Sequence, residues 1–297
     1  EDTGYFSIAT VYSKENTQGE TPTFSFVNEY KAAASAPVSL QAQKVVSPSE
    51  GNSYTMAGGE FQFKIEAIGN APMPTVPTAS NNAQGIIDFG SVQFTEEGTY
   101  QYTVYEVVGS KTGFTYDQAT YTITVEVTDV VALAKLVTNV KITDMNGADA
   151  SIVFNNKYAP KETSVTIFGS KELQGGHKQL AADEFQFSIE AVTSGAPLPA
   201  ELTVKNGADG SFRFDAITYN KVGNYVYQIT EKNLGADGYT YDDTVYTVLV
   251  TVTDESGELK ATVDGLGTEQ APAIRFVNKY VPSSVTAVLG ADGELQK

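Results

Sequence analysis

Short runs of alternating apolar and polar residues fill the chain, as in Val38-Ser39-Leu40-Gln41-Ala42 and Tyr100-Gln101-Tyr102-Thr103-Val104. A period of two puts successive side chains on opposite faces of a strand. Helical 3.6 periodicity is scarce, and Val, Ile, Thr, Tyr and Phe dominate the runs, so strands are predicted almost throughout. Gly-, Asn- and Asp-rich clusters separate them. Asn206-Gly207-Ala208-Asp209-Gly210 and Gly290-Ala291-Asp292-Gly293 read as hairpin loops. Their acids lack the ligand spacing of a calcium-binding EF-hand loop.

The pattern repeats. Gly59-Glu60-Phe61-Gln62-Phe63-Lys64-Ile65-Glu66-Ala67 matches Asp183-Glu184-Phe185-Gln186-Phe187-Ser188-Ile189-Glu190-Ala191. Gly98-Thr99-Tyr100-Gln101-Tyr102 matches Gly223-Asn224-Tyr225-Val226-Tyr227, and Phe114-Thr115-Tyr116-Asp117 matches Tyr239-Thr240-Tyr241-Asp242. A third motif occurs as Phe26-Val27-Asn28-Glu29-Tyr30, Phe154-Asn155-Asn156-Lys157-Tyr158 and Phe276-Val277-Asn278-Lys279-Tyr280. A period of well over a hundred residues means tandem domains rather than a solenoid. Many short strands per domain predict antiparallel β-sandwiches of immunoglobulin-like build. The expected division is residues 1–35 as terminal strands of a preceding repeat plus linker, 36–160 and 161–281 as complete repeats, and 282–297 as a C-terminal hairpin or the start of a further repeat. Ala159-Pro160 reads as the linker.

Strand parity exposes an anomaly. Val38, Leu40, Ala42 and Lys44 share a face, as do Val165, Ile167, Gly169 and Lys171. Tyr100, Tyr102, Val104 and Glu106 share another, matched by Tyr225, Tyr227, Ile229 and Glu231. Ile152, Phe154, Asn156 and Tyr158 are matched by Ile274, Phe276, Asn278 and Tyr280. Each repeat thus turns one Lys, one Glu and one Asn toward its apolar interior. Burying an isolated charge costs several kcal/mol or forces neutralisation. One reading is a buried Lys–Glu ion pair near the rim, with Asn filling a leftover hydrogen bond. The other is chemical. Desolvation lowers a lysine pKa and raises a carboxylic acid pKa, leaving a nucleophilic neutral amine beside a neutral acid. That acid would polarise the Asn amide oxygen and pass protons to departing ammonia. The product would be a Lys–Asn isopeptide bond.

Composition then removes competitors. With 19 Lys+Arg against 36 Asp+Glu the net charge is −17, which disfavours nucleic acid and anionic membrane surfaces. Cysteine is absent, and His177 is the one histidine, so thiolate and multi-His metal sites have no ligands. His177 lies in Gly175-Gly176-His177-Lys178-Gln179, which reads as a hairpin turn rather than a member of a triad. No phosphate-binding Gly-rich motif is present, and no cofactor or metal is expected. No apolar run is long enough to span a bilayer. The chain starts at Glu1-Asp2-Thr3 and ends at Lys297, as an excised fragment would. A polysaccharide hydrolase would need two carboxylates in one cleft, whereas Glu106 and Glu231 belong to different repeats.

Lys on the opening strand, Glu after a Tyr-x-Tyr strand and Asn in a closing Phe-x-Asn-x-Tyr strand resemble the isopeptide-linked pilin domains of Gram-positive surface proteins. These are the streptococcal-type major pilins and their repeat-domain relatives, related to CnaB sandwiches. The resemblance covers residues 36–281. It implies cross-links Lys44–Asn156 and Lys171–Asn278, with Glu106 and Glu231 as catalytic residues of a single-turnover, self-catalysed reaction rather than of an enzyme. It further implies a stalk segment on the bacterial cell surface, anchored to the wall through other parts, whose partners are neighbouring repeats or subunits of one fibre. The alternative is an adhesin module holding a host glycan or matrix protein, with the loop Ala67–Gln84 as one candidate surface against the plainer reading of an irregular loop. Asn28 lacks a matching Lys or Glu and is expected to stay unlinked. At the tail, Val285-Thr286-Ala287-Val288-Leu289 resembles an opening strand, but Ala291 occupies the lysine position. Pro160-Lys161 loosely resembles the lysine motif of sortase-built pili, though a linker lysine without that role is the preferred reading.

Overall fold

The computed structural model describes residues 7–10, 26–282, 288–289 and 295–296. It separates into two compact units that meet in sequence at Tyr158 and Ala159. Each is a β-sandwich, so the all-β, tandem immunoglobulin-like architecture holds. No helix among the described residues is long and apolar enough to cross a membrane.

In the first unit β1 (Ser7–Thr10) pairs antiparallel with β2 (Phe26–Glu29), which carries Asn28 opposite Ile8. The sandwich follows as β3 (Val38–Pro48), β4 (Gln62–Ile68), β5 (Thr78–Ser80), β6 (Ile86–Val92), β7 (Gly98–Glu106), β8 (Phe114–Thr115), β9 (Thr120–Val130), β10 (Lys135–Thr143) and β11 (Val153–Tyr158). A five-stranded sheet in the order β10-β9-β7-β4-β5 faces a four-stranded sheet in the order β6-β3-β11-β8. The facing side chains are those the alternation assigns inward: Leu40, Ala42, Phe63, Ile87, Tyr102, Val104, Val125 and Phe154 are all buried. One pairing departs from the antiparallel rule. The opening strand β3 and the closing strand β11 lie side by side and parallel, with Lys44 opposite Phe154 and Val46 opposite Asn156.

The second unit repeats this plan with β12 (Thr163–Val165), β13 (Phe168–Gln174), β14 (Gln186–Ala191), β15 (Thr203–Lys205), β16 (Ser211–Arg213), β17 (Ile217–Tyr219), β18 (Gly223–Glu231), β19 (Tyr239–Thr240), β20 (Val245–Asp254), β21 (Leu259–Asp264), β22 (Gly267–Thr268), β23 (Ala271–Pro272) and β24 (Arg275–Tyr280). Its sheets run β15-β14-β18-β20-β21 and β16-β13-β24-β19. Again the opening and closing strands β13 and β24 are parallel neighbours, with Lys171 opposite Phe276 and Leu173 opposite Asn278. Beyond it, β25 (Val288–Leu289) pairs antiparallel with β26 (Leu295–Gln296). Gly290–Gly293, read above as a loop, lies outside the described residues, as does Ala291 at the vacant lysine position.

Several expectations need correction. The opening strand of the second repeat is not continuous, because Thr166 and Ile167 separate β12, which pairs with β17, from β13. Gly175–Gln179 is a turn, with His177 at φ 56°, but not a hairpin. It leaves β13 in one sheet and leads to β14 in the other. Asn206–Gly210 likewise crosses between sheets, joining β15 to β16. Turn composition reports a tight reversal, not which strands it joins. Next to the expected Ala159-Pro160 linker, the Lys161 backbone is tied to the second unit without contradicting that reading: its N–H donates to Gly257 O at 2.8 Å, and its O accepts from Leu259 N–H at 2.9 Å. The span Ala67–Gln84 is irregular only in part, over residues 69–77 and beyond Asn81. It contains β5, and the buried Tyr102 hydroxyl donates to Pro72 O at 2.7 Å. Tyr227 does the same to Pro197 O at 2.8 Å in the second unit.

Candidate functional site

Parallel pairing decides how the inward polar residues meet. Residues opposite one another in parallel strands face the same side, so Lys44 and Asn156, two positions apart on β3 and β11, lie diagonally on the core face. Glu106 ends β7 on the facing sheet, opposite Phe63 of β4, and reaches across the sandwich. Lys171, Asn278 and Glu231 are placed identically, Glu231 opposite Phe187. The structure therefore assembles both sets of three residues that parity singled out.

In the first domain Lys44 Nζ lies 2.7 Å from Glu106 Oε2, and Asn156 Nδ2 donates to Glu106 Oε1 at 2.7 Å. The second gives 2.6 Å for both Lys171 Nζ to Glu231 Oε2 and Asn278 Nδ2 to Glu231 Oε1. Every lysine and glutamate side chain here is 0% exposed. One carboxylate bridges the amine and the amide through separate oxygens. The remaining surroundings of the amines are aromatic: Lys44 Nζ lies 4.9 Å from the Phe61 ring centre and 5.9 Å from Phe63, and Lys171 Nζ 4.6 Å from Phe185.

Electrostatics follow from that burial. Desolvation pushes both lysine amines below their ordinary pKa, against the opposing pull of the glutamate partner. Desolvation pushes both glutamates up, against their hydrogen bonds from Lys and Asn. Both shifts favour transfer of the proton from nitrogen to carboxylate, leaving a neutral pair.

One detail differs from the sequence-based expectation. The glutamate meets the amide nitrogen, not the amide oxygen. Asn156 Oδ1 instead accepts from the backbone N–H of Asp117 at 2.8 Å, and Asn278 Oδ1 from that of Asp242 at 2.8 Å. Because a backbone N–H only donates, the amide oxygen must face it and the NH₂ must face the carboxylate. Sequence reasoning passed over Asp117 and Asp242, although both sit in the repeated Thr-Tyr-Asp motif already matched between the domains. Their carboxylates are engaged too. Asp117 Oδ2 accepts from Asn155 N–H at 2.7 Å and Oδ1 from Ala119 N–H at 2.8 Å. Asp242 Oδ2 accepts from Val277 N–H at 2.8 Å, and Oδ1 accepts from Thr244 N–H at 3.0 Å and its hydroxyl at 2.6 Å. Asn28, by contrast, is exposed on β2.

Residues 40–159 and 167–281 match the family described as FctA, the Spy0128-like isopeptide containing domain. This chain belongs to that family. Among solved structures it is similar to the major pilin from Streptococcus pyogenes, at 21% identity over 82% of this chain and 98% of that one, with a TM-score of 0.35. The T-13 major pilin of the same organism gives 20% identity, 84% and 100% coverage and a TM-score of 0.35. A single B repeat unit of the collagen binding surface protein of Staphylococcus aureus gives 16%, 83%, 100% and 0.23. No curated protein matches the chain. The family match spans both domains.

Proposed function

We propose that each domain closes an intramolecular isopeptide bond, Lys44–Asn156 in the first and Lys171–Asn278 in the second, and that the chain is a structural segment of a Gram-positive surface fibre. The observation that carries this is the bridging carboxylate, which holds a buried amine and a buried amide side by side in both domains. The neutral lysine Nζ attacks the asparagine Cγ. The Asp117 or Asp242 backbone N–H stabilises charge developing on Oδ1. Glu Oε2 takes the proton that the attacking nitrogen sheds, and Oε1 delivers one to Nδ2, so the C–N bond breaks and ammonia leaves. A new amide replaces an old one, with neither oxidant nor cofactor in the balance.

Each bond would close a loop of about 110 residues, which in the chain-entropy treatment of cross-links stabilises by roughly 4–5 kcal/mol. That rivals the typical net stability of a domain, about 5–15 kcal/mol. Tension entering at the opening strand would pass through the side-chain bond to the closing strand, bypassing nearly all of the strand pairing. Such a device suits a cysteine-free protein polymerised with like subunits outside the cell and anchored to the wall. Intact mass on denatured protein tests it: two bonds remove about 34 Da from the sequence mass and one removes about 17 Da. Glu106→Ala with Glu231→Ala should restore the full mass. Full mass in the unaltered chain would leave Lys44 and Lys171 as plain ion-pair partners.

A further inference from the structure

The geometry points to Asp117 and Asp242 as positioning residues for bond formation, acting by clamping the asparagine-bearing strand; this rests on the cross-linking reading above. In the first domain β8 covers β11 for two positions only, Thr115 opposite Lys157 and Phe114 opposite Tyr158. Past Thr115 the chain leaves the sheet, and the N–H of Asn155 would lose its ladder partner. The Asp117 carboxylate supplies the missing acceptor at 2.7 Å. It grips the residue immediately before the reacting asparagine, while its own N–H grips the reacting amide at 2.8 Å. The bond from Ala119 N–H to the other carboxylate oxygen fixes the side chain as the centre of a tight turn. The second domain reproduces every part: β19 stops at Thr240 opposite Lys279, Asp242 takes Val277 N–H, and its own N–H meets Asn278 Oδ1.

Two consequences follow for the reaction. The amide cannot turn over without setting NH₂ against an N–H, so the leaving nitrogen stays on the glutamate oxygen. The N–H on Oδ1 also stays where charge develops, because the side chain that owns it is anchored at both carboxylate oxygens. Removing the carboxylate leaves the reactive residues in place but frees the strand before Asn156 and the turn that carries the donor. Displacements on the scale of an ångström then slow a positioned reaction severely.

The test uses the full chain made by cell-free translation, stopped and sampled over time by intact mass, with peptide mapping to locate each bond. Asp117→Ala should lengthen the half-time of Lys44–Asn156 closure at least about tenfold, while Lys171–Asn278 closes at the unaltered rate in the same molecule. Asp242→Ala should reverse that pattern. Asp117→Asn keeps the volume and can satisfy one of the two N–H groups, so it should fall between, at least about threefold slow from one lost hydrogen bond. Should Asp117→Ala fail to fold, as judged by loss of protease resistance, Asp117→Asn decides. The Asp117 charge raises both the Lys44 and the Glu106 pKa, so both variants should move the pH midpoint of the closure rate downward, while the maximal rate at the new optimum stays depressed because the strand and the N–H donor are loose. Recovery of the unaltered rate at the shifted optimum would assign the aspartate a purely electrostatic role and overturn positioning. Closure of the altered domain within twofold of the unaltered rate overturns it as well. Absence of any mass loss in the unaltered chain overturns the cross-linking reading itself, which the variant arms cannot do.

Discussion

Beside their buried lysines the two domains pack the same space with different residues. In the first domain Ala42 of β3 stands opposite Ile87 of β6. In the second the equivalent pair is Gly169 of β13 opposite Phe212 of β16. The Phe212 ring stacks on Phe187 with centroids 3.9 Å apart. A Cβ on Gly169 would lie 2.3 Å from Phe212 Cζ and 2.9 Å from Ile274 Cγ2. The glycine is thus there for room, not for an unusual backbone angle. One domain has a medium side chain against a methyl, and the other a large ring against nothing. Total volume is roughly conserved while identity is not, which is how cores tolerate change. The Lys–Glu–Asn distances agree to within 0.1 Å across this exchange, at 2.7 Å in one domain and 2.6 Å in the other. What holds the reactive groups is therefore sheet register and local hydrogen bonds, not the particular residues of the core around them.

Breaking the constant part should have the largest effect. Asn156→Ala or Asn278→Ala removes the electrophile, and the altered domain should lose roughly the 4–5 kcal/mol of the cross-link. Guanidinium unfolding should then show two transitions, the altered domain melting earlier and its neighbour unmoved. Two variants that both unfold at the original midpoint would show that no bond was contributing. Next comes the variable part. Gly169→Ala should cost about 1–3 kcal/mol by overpacking, whereas Ala42→Gly should cost only about 1 kcal/mol through lost contact and added chain entropy. Gly169→Ala combined with Phe212→Ile should recover most of the loss, since the two residues touch. Additive losses in that double variant would mean that the pair is not coupled through volume.

How much of this could be read from the chain depends on the kind of signal. Lys44, Glu106 and Asn156 were legible because burial on a period-two face is written in parity, and because the same breach recurs in the second repeat. The parallel pairing of β3 with β11 was not legible from parity, since one strand's alternation says nothing about the direction of its neighbour. Nor was the part played by Asp117. A carboxylate that caps a backbone N–H leaves no periodic trace, and Asp in a turn has many ordinary uses. The break between β12 and β13 was hidden for a related reason: Val165, Ile167 and Gly169 keep parity straight through it, and all three are buried.

A smaller effect concerns protonation of the unlinked pair. In a chain carrying both Asn156→Ala and Asn278→Ala the lysines stay free amines with lowered pKa. Between that lowered value and about 10.4 the unfolded chain binds more protons, so stability rises with pH. The raised glutamates act in the opposite sense, their contribution being full below about 4.3 and lost as pH climbs through the folded value. The unlinked chain should therefore be least stable at intermediate pH. The unaltered chain, with its lysines locked in amides, should lack the alkaline rise. Thermal unfolding midpoints of both chains between pH 7 and 10 check this, and the tyrosines cancel in the difference. Parallel curves would show that the lysines titrate normally.

The smallest effect separates two partly buried clusters that the domains build from different places. Glu60 accepts from the Tyr54 hydroxyl, Lys111 Nζ and the Ala57 N–H. Glu184 accepts from Lys178 Nζ, the Tyr239 hydroxyl and the Ala181 N–H. Lys111 precedes β8 in the first domain, whereas Lys178 follows β13 in the second, so the same ion pair is reached by unrelated segments. Burial pushes both carboxyls up, yet the hydrogen bonds outweigh it and hold each below the ordinary glutamate value. A depressed acid stabilises above its unfolded pKa, and that stability is lost as pH falls through the folded one. Glu60→Gln and Glu184→Gln should each flatten the acid limb of the stability curve in their own domain. At pH 7 the loss should be modest, because exposed lysine partners in such pairs contribute about 1 kcal/mol or less. If only Glu184→Gln flattened the curve, the likeness of the two clusters would be one of shape and not of energy.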